Sequence, residues 1–160
     1  MVTGYAHIPK ENIYRHKIVN AIDQVDKDIE SLKVECLERL TAEVEVSRGW
    51  WMFKKMIRVP SIEIGEDYIA SVVRLVLEER PNEAEFRIEF ARKGLRANKL
   101  SVLRETSSKL GPEYSRLKNL RNAGYAGLTA LDSEMISTSF YLPIDVAADL
   151  QRLLTRYPSR

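Results

Sequence analysis

The sequence predicts an α+β fold dominated by helices, with a long N-terminal amphipathic helix and a small antiparallel sheet. Two observations carry that expectation. No proline or glycine interrupts the chain from about Glu11 to Val46, so nothing there forces a break. Beyond Gly49 the apolar residues switch between helical spacing and strict alternation, the two periods that separate helix from strand.

The elements follow in order. Residues up to Pro9 read as a short lead-in, with Pro9 near the start of a helix spanning 10–47, where its missing N–H costs little. Inside that helix Ile18, Ile22, Val25, Ile29, Leu32 and Cys36 recur at steps of four, three, four, three and four. That spacing puts all six on one stripe, which Leu37, Leu40 and Val44 extend. Charged residues such as Asp23, Lys27, Glu30 and Arg39 fill the intervening positions. Gly49 is suited to close the helix. Ile57/Val59 and Ile62/Ile64 alternate with polar residues around Pro60, which reads as short strands. Glu66 to Arg80 fits helix better than strand, with Asp67 as a cap. Phe86, Ile88 and Phe90 alternate with Arg87 and Glu89 and predict a half-buried strand. Two short helices, 97–110 and 112–122, are expected on either side of Gly111-Pro112. Gly124 and Gly127 then flank a loop, 133–142 supplies a strand, and Asp145 caps a final helix to Arg156.

At 160 residues the chain suits one domain, with 10–47 as a helical arm and 50–160 as an α+β body. Hydrophobic residues make up 44% and charged residues 30%, the balance of a chain that folds around a core. A formal net charge of +2 gives no general pull toward nucleic acid or membranes. The single cysteine cannot form an internal disulfide, the N-terminus lacks the pattern of a signal peptide, and no apolar run approaches the ~20 residues of a membrane span. A cytoplasmic protein is expected.

Three features bear on function. The stripe Ile18, Ile22, Val25, Ile29, Leu32 and Cys36 is narrow, as coiled-coil seams are, and predicts a homo-oligomer. The competing reading is that it packs against the rest of the same chain. Cys36, set in that stripe with no base beside it, reads as a small core residue rather than a nucleophile. The second feature is the run of Trp50, Trp51, Met52 and Phe53 with Lys54, Lys55 and Arg58, which includes both tryptophans of the protein. It suits a protein partner, through tryptophan and methionine anchors. It also suits single-stranded nucleic acid, whose bases stack on aromatic rings while cations meet phosphates, and a membrane interface. Alternatively, the tryptophans simply cap the core beside the long helix. The third feature is the basic stretch from Arg92 to Arg121, in which Arg92, Lys93, Arg96 and Lys99 come first and Glu105 and Glu113 are the only acids. Phosphates could be its partner, or the acidic face of the N-terminal helix.

Nothing predicts catalysis. His7 and His16 have no metal-ligand spacing around them, so neither a metal nor another cofactor is expected. Ser115 and Lys118 spell Ser-x-x-Lys without its companion motifs. Gly124-Tyr125-Ala126-Gly127 lacks the rest of a phosphate loop and reads as a turn. The expectation is therefore a non-enzymatic adaptor or inhibitory protein that self-associates through its N-terminal helix and contacts an unidentified protein. A nucleic-acid-binding protein is the alternative, and a small enzyme with a dispersed site the third reading.

Overall fold

The computed structural model describes residues 4–9, 14–48, 55–90, 99–133 and 139–158, and helices dominate it. In chain order the elements are β1 (Tyr5–Pro9), α1 (Tyr14–Thr41), β2 (Glu43–Arg48), β3 (Lys55–Pro60), a 3-10 turn (Glu66–Tyr68), α2 (Ile69–Leu77), α3 (Pro81–Phe90), α4 (Lys99–Ser133), β4 (Ser139–Pro143) and α5 (Ile144–Arg156). The antiparallel sheet takes the form of two separate two-stranded ladders, β1 with β4 and β2 with β3. The fold class is the helix-dominated α+β arrangement that the apolar spacing predicts.

The chain falls into two compact units. The first comprises Met1–Glu30 with Arg116–Arg160. Its core holds Ile18, Ile22, Val25 and Ile29 from α1, Leu117, Leu120 and Leu131 from α4, and Leu150 and Leu153 from α5. Gly124 and Gly127 lie inside α4, not in a loop. A Cβ on Gly124 would stand 2.7 Å from Ile22 Cγ1 and 2.9 Å from Leu153 Cδ2, and one on Gly127 would crowd Leu150 and Ile18. The glycines are therefore what lets three helices approach closely, and burial along α4 outweighs their low helix propensity of about 1 kcal/mol each. Around this core the Tyr157 hydroxyl donates to Asp28 Oδ2, Arg15 pairs with Asp132, and Arg121 reaches Asp26 at 3.5 Å. The N-terminal residues are not a bare lead-in: Tyr5 pairs with Pro143 and Pro9 with Ser139 in the β1–β4 ladder, and Ile144 N–H donates to Gly4 O at 3.1 Å.

The second unit is Ser31–Ser115. Leu32, Cys36 and Leu40 of α1, Val72, Val73 and Val76 of α2, Ala84 and Ile88 of α3, and Leu103, Leu110 and Tyr114 of α4 form its core. Here α1 stops at Thr41, whose hydroxyl donates to Leu37 O at 2.7 Å, and Val44 and Val46 belong to β2 rather than to the helix. The reason is chemical. Glu43-Val44-Glu45-Val46 alternates β-branched and charged residues, and in the ladder register Val44 lies opposite Val59, Val46 opposite Ile57 and Glu45 opposite Arg58. Ile57 and Val59 lie in a strand as expected, whereas Ile62 and Ile64 follow it outside any strand.

Two further corrections concern helices. Residues 86–90 belong to α3 (Pro81–Phe90), not to a strand. Pro81 opens it as the first helical residue, Ala84 N–H donates to Arg80 O at 3.2 Å, and Arg80 Nε bonds Glu83 Oε1 at 3.0 Å. The buried residues are Ala84 and Ile88, four apart, so the alternation of Phe86 and Ile88 is too short to compete with a well-started helix. α4 also runs unbroken through Gly111-Pro112. Leu103, Leu110 and Tyr114 bury one face of it, while Pro112 sits on the exposed side. The proline deprives the Ser108 carbonyl of its donor, a cost of about 3 kcal/mol that the burial offsets.

Residues 66–80 are helical, as the spacing indicates, but Asp67 lies in the 3-10 turn and Tyr68 is the α2 cap. α2 ends in a Schellman turn: Arg80 N–H donates to Leu75 O at 2.8 Å and Glu79 N–H to Val76 O at 3.1 Å. Glu79 takes the left-handed position of that turn, with φ 62°. Glycine is the usual residue there, and glutamate holds it at a cost of about 1 kcal/mol. At the start of α5, Asp145 is the second helical residue and accepts from its neighbour Val146 N–H at 3.0 Å, while Pro143 occupies the cap.

Candidate functional site: a hairpin end and an arginine-lined cleft

The α1 stripe has a clear placement. Ile18, Val25 and Cys36 are 0% exposed, and Ile22, Ile29 and Leu32 are at most 8% exposed. One chain is enough to cover all six. Burial pushes the Cys36 thiol up to about 12, an effect that Arg39 opposes and Glu35 reinforces, so the thiol stays protonated and unreactive.

The aromatic-basic segment is split between described and undescribed residues. Trp50, Trp51, Phe53 and Lys54 lie outside the described residues, as do Arg92, Lys93 and Arg96. The ladder that carries the segment is described. Its base is tied to the unit's core, where Ser61 N–H donates to Ala42 O at 2.8 Å and Ile62 N–H to Leu40 O at 3.1 Å, both donor residues being buried. Six register pairs lead from Glu43↔Pro60 to Arg48↔Lys55, a rise of roughly 17–20 Å. The run Gly49-Trp50-Trp51-Met52-Phe53-Lys54 joins the strands beyond that last, doubly basic pair. Arg58 in β3 is exposed.

The basic stretch is partly used within the chain. Lys99 is the first residue of α4. Lys109 pairs with Glu105 at 3.3 Å, and Arg121 with Asp26 of α1, the acidic helix that charge balance pointed to. Arg104 meets no carboxylate among the described residues and donates instead to Asn82 Oδ1 at 3.4 Å.

Asn82 lines a cleft of about 490 Å³ that the sequence gives little sign of. Arg74 and Leu75 of α2, Arg80 before α3, and Glu83, Phe86 and Arg87 of α3 complete it. Phe86 is 69% exposed. Arg80 is met by Glu83 and, at 3.4 Å, by Glu78; its hydrogen bond to Glu83, then the Glu83 charge, hold the guanidinium even more firmly protonated than usual. Reading 86–90 as a strand hides this site, because alternation assigns Phe86 to the same face as Ile88, and the helix separates them. A second cleft of about 560 Å³ is mostly apolar, with Val34, Leu37, Ile69, Val73 and Tyr114 in its walls and Lys33, Asp67 and Arg74 at its margins.

Catalytic candidates are not brought together. Ser115 is exposed on α4 and Gly124-Tyr125-Ala126-Gly127 is helical, so that segment forms no anion-binding turn. His7 lies in β1 and His16 is exposed on α1. Among the described residues no three histidine, cysteine or carboxylate groups are placed to hold a metal, and no helix is long and apolar enough to cross a membrane. No family model, curated protein or solved structure matches the chain.

Proposed function

We propose that the protein is a non-enzymatic binding protein for single-stranded nucleic acid. The observation that carries this reading is the β2–β3 ladder. It is anchored in the core at one end and has the Arg48↔Lys55 pair at the other, where the run with both tryptophans joins the strands. Aromatic faces accept any base, at about 1–3 kcal/mol per stack, and cations neutralise the phosphates between them. Self-association through α1 is not part of the proposal, because the six side chains of the would-be seam are already buried within one chain.

A protein-binding adaptor or inhibitor is the second reading. It draws on the density of Trp50, Trp51, Met52 and Phe53, residue types that anchor protein interfaces. Salt separates the two. A fluorescently labelled oligothymidylate about 20 nucleotides long, titrated with the native chain, is expected to bind saturably near 50 mM salt. It should weaken at least tenfold by about 300 mM as counterion release is lost. No binding at the lower salt removes the nucleic-acid reading and leaves the adaptor.

A further inference from the structure

The cleft between α2 and α3 holds more positive charge than its own acids neutralise. Of its cations, Arg80 is taken by Glu83 and Glu78. Arg74 and Arg87 have no carboxylate partner among the described residues, and neither does Arg104, which reaches the cleft through Asn82. Because a guanidinium can only donate, Asn82 Oδ1 faces Arg104, and its amide N–H groups remain as donors. Phe86, a large apolar ring on an exposed helix face, lines the same cleft, as does the buried Leu75.

We infer that this cleft is a nucleotide subsite for single-stranded nucleic acid, with a base stacked on Phe86 and the flanking phosphates on Arg74 and Arg87. Its volume of about 490 Å³ lies within the range of small-ligand sites, about 300–1,000 Å³. Planar guanidinium forks match phosphate oxygens in pairs, which lysine does not do. Phenylalanine offers a π face and no hydrogen bonds, so stacking on it tolerates every base. An acidic peptide would meet the same arginines, but it needs only apolar area from Phe86 and not a flat ring. The inference rests on the nucleic-acid reading and adds a contact that the hairpin does not supply.

The test is a titration of the same labelled oligothymidylate with the native chain and with three variants: Phe86→Leu, Arg74→Gln with Arg87→Gln, and Trp50→Ala with Trp51→Ala. Phe86, Arg74 and Arg87 are all exposed, and an unchanged thermal midpoint checks that their variants are folded. Phe86→Leu keeps the apolar bulk and loses the stack, so binding is expected to weaken roughly five- to a hundredfold with the salt slope unchanged. The double arginine variant is expected to lower the slope of log K against log salt by about 1.4, two phosphates at about 0.7 each. If both cleft variants bind like the native chain while the tryptophan variant is weakened, the subsite is wrong and the hairpin reading stands. If only Phe86→Leu binds like the native chain, the stacked base is wrong. A native chain that ignores the oligonucleotide but binds a labelled peptide of glutamates and leucines overturns both inferences in favour of a protein partner.

Discussion

Cys36 shows how much a single position owes to its surroundings. Its thiol is fully buried on α1 and ionises only near pH 12, against an ordinary value near 9. In the unfolded chain the thiol begins to lose its proton near pH 9, while the folded chain keeps it. Stability from this group is therefore complete below about pH 9 and declines as pH rises toward 12. Denaturation curves of the native protein and of Cys36→Ala should accordingly converge between pH 8 and pH 10.5, because alanine does not titrate. A constant difference across that range would place the thiol in contact with water. The reading of Cys36 as a small core residue was available from its place in an apolar stripe. Phe86 was not available in that way, since its exposure depends on whether 86–90 is strand or helix, and Arg80, Pro81 and Glu83 at the helix start decide that. Gly124 and Gly127 were equally opaque. A glycine pair signals a loop in sequence, and its use as a helix crossing is visible only once Ile22 and Leu153 are seen against it.

Among the elements, α1 was the most legible, because a four-three repeat without proline or glycine has few alternatives to helix. Its C-terminal limit was not, since Val44 continues the helical stripe and also alternates as a strand, and the choice depends on Val59 and Ile57 across the ladder. α4 was hidden for the opposite reason. Local breakers at Gly111, Pro112, Gly124 and Gly127 argue for an end, and a buried face with Leu103, Leu110, Leu117 and Leu131 overrides them. The α1 stripe gives a direct test of its role. Ile22→Asp together with Ile29→Asp puts two charges where exposure is 7% and 2%, at a cost on the order of 4 kcal/mol or more. Loss of the helical circular-dichroism signal is expected. A folded variant that merely changes its native mass would instead restore α1 as a seam between copies.

For the molecule as a whole, fold class could be read from apolar periodicity, whereas function could not be read from net charge. The +2 excess is small, and what matters is how charge is spent. Arg121 and Lys109 are committed to acids, and Arg80 to two of them, while Arg74, Arg87 and Arg104 have no carboxylate partner among the described residues. That distribution, with the aromatic run in the sequence between β2 and β3 and Phe86 in the cleft, is the basis for the proposed nucleic-acid partner, and the buried stripe is the basis for the expected single-chain state. Light scattering on a sizing column, with absorbance at 260 and 280 nm and run at low and high salt, examines both together. A monomer that carries 260 nm absorbance at low salt and loses it at high salt is expected. A nucleic-acid-free oligomer at both salts would contradict it.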